Sequence, residues 1–62
     1  MVYENIKEIS QEQNMSIRQV EIKSGLKNGA IGKWRSFSPK LASVQKVADA
    51  LGVPITELLK QK

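Results

Sequence analysis

Nothing in this chain can staple it. Its 62 residues include no cysteine and no histidine, which removes disulfides, thiolate metal sites and the commonest metal ligand together. A chain this short lies near the lower end of what folds unaided, so packing of its aliphatic side chains and a single tryptophan has to hold it. The spacing of apolar residues is therefore the decisive signal, and it is helical throughout. Val2, Ile6, Ile9 and Gln13, with Tyr3 beside them, recur on one face. Leu41, Val44, Val47, Ala48 and Leu51 form a second stripe, and Ile55, Leu58 and Leu59 a third. No stretch alternates with the period of a strand. The expectation is a single all-α domain over residues 1–62, built from five helices.

The boundaries of these helices carry their own signals. Asn14 suits a left-handed stop after the first helix. Ser16 as N-cap with Gln19 three residues on makes a capping box for the second, and Met15 and Val20 occupy the positions of a hydrophobic staple. Gly25 then fits the position just past its end. Asn28 is a suitable N-cap for a third helix over about 28–35, whose buried side is Ile31 and Trp34. Gly29 and Gly32 sit badly in that helix, at about 1 kcal/mol each relative to alanine. Close approach to a partner surface or to another helix would account for them. Ser36-Phe37-Ser38-Pro39 reads as a loop. Gly52 ends the fourth helix and Pro54 opens the fifth, where Lys60 and Lys62 suit the C-terminal dipole.

The distribution of charge says more than its net value of +4. Glu4, Glu8 and Glu12 face only Lys7 in the first fifteen residues, and Asp49 and Glu57 balance Lys60 and Lys62 at the other end. Between Ser16 and Lys46, by contrast, Arg18, Lys23, Lys27, Lys33, Arg35, Lys40 and Lys46 meet the single acid Glu21. A one-sided basic stripe is what a protein that meets phosphates presents, although a solvated lysine-rich surface has the same composition. The longest apolar run is only a few residues, so neither a membrane span nor a signal peptide is expected, and the chain reads as cytoplasmic. Catalysis is not expected either. Serine and tyrosine lack an activating base, there are no paired carboxylates, and Gly29-Ala30-Ile31-Gly32 is too isolated to be a nucleotide loop. No cofactor or small-molecule ligand is implied.

The order of the five helices and two stretches, SIRQVEIKSGLKNGAIGKW (16–34) and VQKVADALGVPITELL (44–59), resemble the Cro/repressor type of helix-turn-helix, the XRE-like family. The resemblance covers nearly the whole chain. Gly25 matches the family's turn glycine, and Val20, Leu26, Ile31 and Trp34 its buried positions. Val47, Ala48, Leu51, Gly52, Val53, Glu57, Leu58 and Leu59 match the stretch that follows. The resemblance implies a compact lambda-repressor-like fold with the helix-turn-helix at helices 2 and 3. It implies sequence-specific binding of double-stranded DNA by a bacterial regulator of phage or mobile-element type. Carried over by position, the base contacts are Lys27, Asn28, Gly29, Ala30 and Lys33. Phosphate contacts are Ser16, Arg18, Arg35, Ser36, Ser38 and Lys40. A homodimer on inverted half-sites is implied, with Val53, Ile55, Leu58 and Leu59 as its contact, though these residues serve equally to close a small core.

Two positions depart from the family. Glu21 stands where a small residue is usual, and Ser24 where an aliphatic one is favoured. A carboxylate on the inner side of helix 2 must reach solvent or find a partner; a local hydrogen bond or an ion pair is expected, with Lys33 or Arg35 on the facing helix as candidates. The second functional class is a protein-interaction module of the same fold, antitoxin-like, without specific DNA binding. An acidic or apolar third helix would favour it, and this segment is neither.

Overall fold

A computed structural model describes residues 2–61. Among these residues four α-helices follow one another: α1 (Val2–Glu12), α2 (Ile17–Ser24), α3 (Leu41–Leu51) and α4 (Ile55–Leu59). A single 3-10 turn, Gly32–Arg35, stands between α2 and α3. No strand occurs among the described residues. The second basic end residue assigned to the last helix dipole, Lys62, lies outside them.

Five of the anticipated stops and starts, at Asn14, Ser16, Gly25, Gly52 and Pro54, occur where the residue chemistry put them. Asn14 takes a left-handed φ of 58° after α1. Ser16 Oγ accepts from Gln19 N–H at 3.1 Å while Gln19 Oε1 receives Ser16 N–H at 2.8 Å, completing the capping box of α2. Gly25 and Gly52 end α2 and α3 in the left-handed conformation, and Pro54 precedes α4 with its φ of −63°.

The core is one cluster drawn from the four helices and from Ile31, just before the 3-10 turn. Ile6 of α1, Val20 of α2, Ile31, Val44, Val47, Ala48 and Leu51 of α3, and Leu58 of α4 are all buried. Tyr3, Ile9, Met15, Leu26, Trp34, Val53 and Ile55 pack around it half-buried. α2 packs on α3, and α1 lies against α4, the 3-10 turn and both other helices. Two side chains, one in α1 and one just past its end, also hold the ends of the later helices. Asn5 Nδ2 donates to the carbonyls of Leu58 at 2.9 Å and Lys60 at 2.7 Å, and Gln13 Nε2 donates to Leu51 at 2.8 Å. Those are terminal carbonyls that no intrahelical N–H can reach.

Three expectations are corrected. The third helix over 28–35 is absent as an α-helix: Asn28–Ile31 forms turns, and only Gly32–Arg35 coils, as 3-10. Leu41 does not belong to the inward stripe of its helix. It opens α3 directly after the extended Lys40, is 64% exposed, and leaves the stripe to begin at Val44. Leu59 also faces out, at 44% exposure. A five-residue helix turns only one face inward, and Leu58 fills it, leaving its neighbour 100° further round.

Candidate nucleic-acid interface

The segment after α2 is built by two backbone devices in succession. At the end of α2, Gly25 N–H donates to Ile22 O at 3.1 Å and Leu26 N–H to Glu21 O at 2.8 Å, the paired bonds of a Schellman motif. The chain then reverses over Lys27–Ala30. Ala30 N–H donates to Lys27 O at 3.0 Å, Gly29 has a φ of +85°, and Asn28 keeps a negative φ. A positive φ at the third residue alone is the pattern of a type II turn, which needs glycine or asparagine there. This is why the segment does not begin as a helix at Asn28, whose side chain caps nothing among the described residues. It also supplies the reason that Gly29 lacked: Asn-Gly is a turn dipeptide.

Glu21 stands beneath this turn. It is 2% exposed, and its two carboxylate oxygens accept separate backbone N–H groups, Gly29 at 3.1 Å and Ile31 at 3.0 Å. Arg18 Nη1 lies 3.6 Å from the same carboxylate. The partner that a buried carboxylate demands is thus the backbone of the following turn and Arg18. Lys33 and Arg35 are not its partners.

Above the turn lies an open groove. Lys27, Asn28, Ala30 and Lys33 line it together with Ser38 and Lys40, over a floor that includes Leu26, Trp34 and Pro39. Four of the five residues assigned to base contact therefore share one surface with two of those assigned to phosphates. Gly29 is exposed beside them. A smaller groove on the other side of Trp34 and Phe37 is lined by Arg35 and Ser36 with Val2. No acidic residue lines either groove, and among the described residues no ion pair holds Lys27, Lys33 or Lys40.

The remaining assigned residues are placed differently. Arg35 turns toward α1, with its guanidinium 5.4 Å from the centre of the Tyr3 ring and its Nε donating to Gly32 O at 3.3 Å. Arg18 is engaged with Glu21 but keeps half its side chain in solvent. Ser16 is exposed, and its hydroxyl oxygen serves as the cap of α2. Of the four residues assigned to a dimer contact, Leu58 is fully buried and is a core residue, Val53 and Ile55 are half-buried against that core, and Leu59 is exposed. Sequence reasoning gave no part to Phe37. Its ring is 68% exposed between the two grooves, one turn after Lys33, whose carbonyl accepts its N–H at 2.9 Å. The signal was present, since a phenylalanine in a polar loop has no core to enter.

Compared with models of known protein families, with curated proteins and with solved structures, the chain finds no match.

Proposed function

We propose that this chain is a sequence-specific double-stranded DNA-binding domain, a transcriptional regulator of repressor type acting in a bacterial cytoplasm. The carrying observation is the groove that joins Lys27, Asn28, Ala30, Lys33, Ser38 and Lys40 with no acid on its walls. Lysines suit guanine O6 and N7, asparagine pairs with adenine, and the alanine methyl suits that of thymine, while the outer Ser38 and Lys40 suit phosphates. On this reading α2, the Schellman turn and the Lys27–Arg35 segment form the helix-turn-helix of a lambda-repressor-like fold, with the 3-10 turn standing where a longer recognition helix would lie.

The molecule measures 24 Å in its longest dimension, enough for about seven base pairs at 3.4 Å each. That is a half-site, so a homodimer on an inverted repeat is the assembly proposed, with Leu59, Val53 and Ile55 as the contact that remains once Leu58 is assigned to the core. Selection of bound sequences from random DNA tests the reading. The unmodified chain should enrich an inverted repeat, and Asn28→Ala and Lys33→Ala should relax its base preference. The exposed Phe37 and Leu41 favour a second reading, a protein-interaction module of the same fold, and absence of any enrichment at low salt would select it.

A further inference from the structure

The orientation of one peptide group follows from the bonds to Glu21. Gly29 N–H points at the buried carboxylate, 3.1 Å away. No cis peptide occurs among the described residues, and in a planar trans peptide the C=O lies antiparallel to the N–H. The carbonyl of Asn28 therefore points away from Glu21, toward the exposed side that Asn28 and Gly29 occupy. Had the segment continued as an α-helix from Asn28, that carbonyl would accept from Gly32 N–H. It does not, whereas the next bond in the series, Lys33 N–H to Gly29 O, is made at 3.2 Å. One peptide has turned over, and two independent features hold it so: the carboxylate below and the left-handed φ of Gly29.

The start of a recognition helix ordinarily shows its partner N–H groups, which attract phosphates and base acceptors. Here an acceptor stands in that place, among Lys27, Asn28 and Lys33. We propose that Glu21 is a positioning residue that fixes the Asn28–Gly29 peptide outward, and that the Asn28 carbonyl accepts a hydrogen bond from the exocyclic amine of an adenine or cytosine in the major groove. Only those two bases offer a donor there; guanine and thymine offer acceptors, which a carbonyl repels. The donor and acceptor side by side then read two neighbouring positions in opposite senses, lysine taking the acceptors of guanine and the carbonyl taking an amine. This inference rests on the DNA-binding reading and deepens it.

Sequence selection from random DNA with the unmodified chain, Glu21→Gln, Gly29→Ala and Asn28→Ala provides the test, each variant first checked for a cooperative melt. Glutamine retains one acceptor oxygen and sets an amide donor against the second N–H. Alanine at 29 meets open space, with no heavy atom within 4 Å of its Cβ, and opposes only the left-handed φ, so it remains informative if Glu21→Gln does not fold. One position should favour adenine or cytosine by about tenfold over guanine or thymine in the unmodified protein. Both Glu21→Gln and Gly29→Ala should lose that preference at that position and keep it elsewhere. Asn28→Ala should retain it there, because the group concerned is backbone. Replacing the selected base by purine or pyrimidin-2-one, which lack the amine, should weaken binding of the unmodified chain about tenfold and leave Gly29→Ala unaffected. The inference is overturned if folded Glu21→Gln and Gly29→Ala keep the unmodified preference at every position, or if Asn28→Ala abolishes it. A chain that enriches no sequence at all would instead overturn the DNA-binding reading on which the inference stands.

Discussion

A buried carboxylate that takes two backbone N–H groups does the work usually given to a helix cap, but from a different helix. Removing Glu21 leaves both donors of the turn without partners, and each buried unsatisfied group costs about 1–3 kcal/mol. Glu21→Ala should therefore lower unfolding free energy by about 2–4 kcal/mol in urea titrations, with Gly29 and Ile31 amides losing protection from hydrogen exchange. Ser16→Ala should cost about 1 kcal/mol, because its hydroxyl accepts one N–H of α2 and nothing more. The contrast separates a local cap from a tertiary one. It also explains why Glu21 stood out in the sequence as misplaced while its partner stayed hidden. Side-chain charge pointed to Lys33 and Arg35, whereas the groups that answered it were Arg18, one turn back on the same helix, and two uncharged amides, which every residue carries and which composition cannot distinguish.

Among the elements, caps and stripes were legible wherever one turn of helix decides the outcome, and obscure where it does not. Ser16, Gly25, Gly52 and Pro54 act on their own neighbours, so their residue types sufficed. The segment from Asn28 to Arg35 takes its conformation from the Asn-Gly turn together with a carboxylate eight residues upstream of Gly29. Leu41 belonged to the period of α3 but not to its covered length, which begins at Val44. The grouping of Lys27, Asn28, Ala30 and Lys33 could be read from their closeness in sequence, whereas the turning of Arg35 toward Tyr3 could not. A pair of substitutions separates periodicity from burial. Leu41→Gln should change stability by less than about 0.5 kcal/mol, while Leu51→Ala, at a buried position on the same helix, should cost about 2–5 kcal/mol; thermal melts of the two variants compare them directly.

At the scale of the whole molecule, charge and connectivity have separate effects. The basic residues gather between Ser16 and Lys46, so DNA binding by a dimer that neutralises about eight phosphates should weaken with salt at a log–log slope near −7. A titration from low to physiological salt measures it, and a slope near zero would remove the phosphate contacts from the proposal. Connectivity bears on how the chain comes to be folded at all. The bonds from Gln13 to Leu51 and from Asn5 to Leu58 and Lys60 join residues 38, 53 and 55 positions apart. Such distant closures carry a larger loop-closure entropy cost than local ones, and that cost is met before the contacts offset it. On the ribosome, α1 can meet α2 and the 3-10 turn early, but its bonds to Leu58 and Lys60 wait for nearly the last residues of the domain, so its docking is completed only once those residues have emerged.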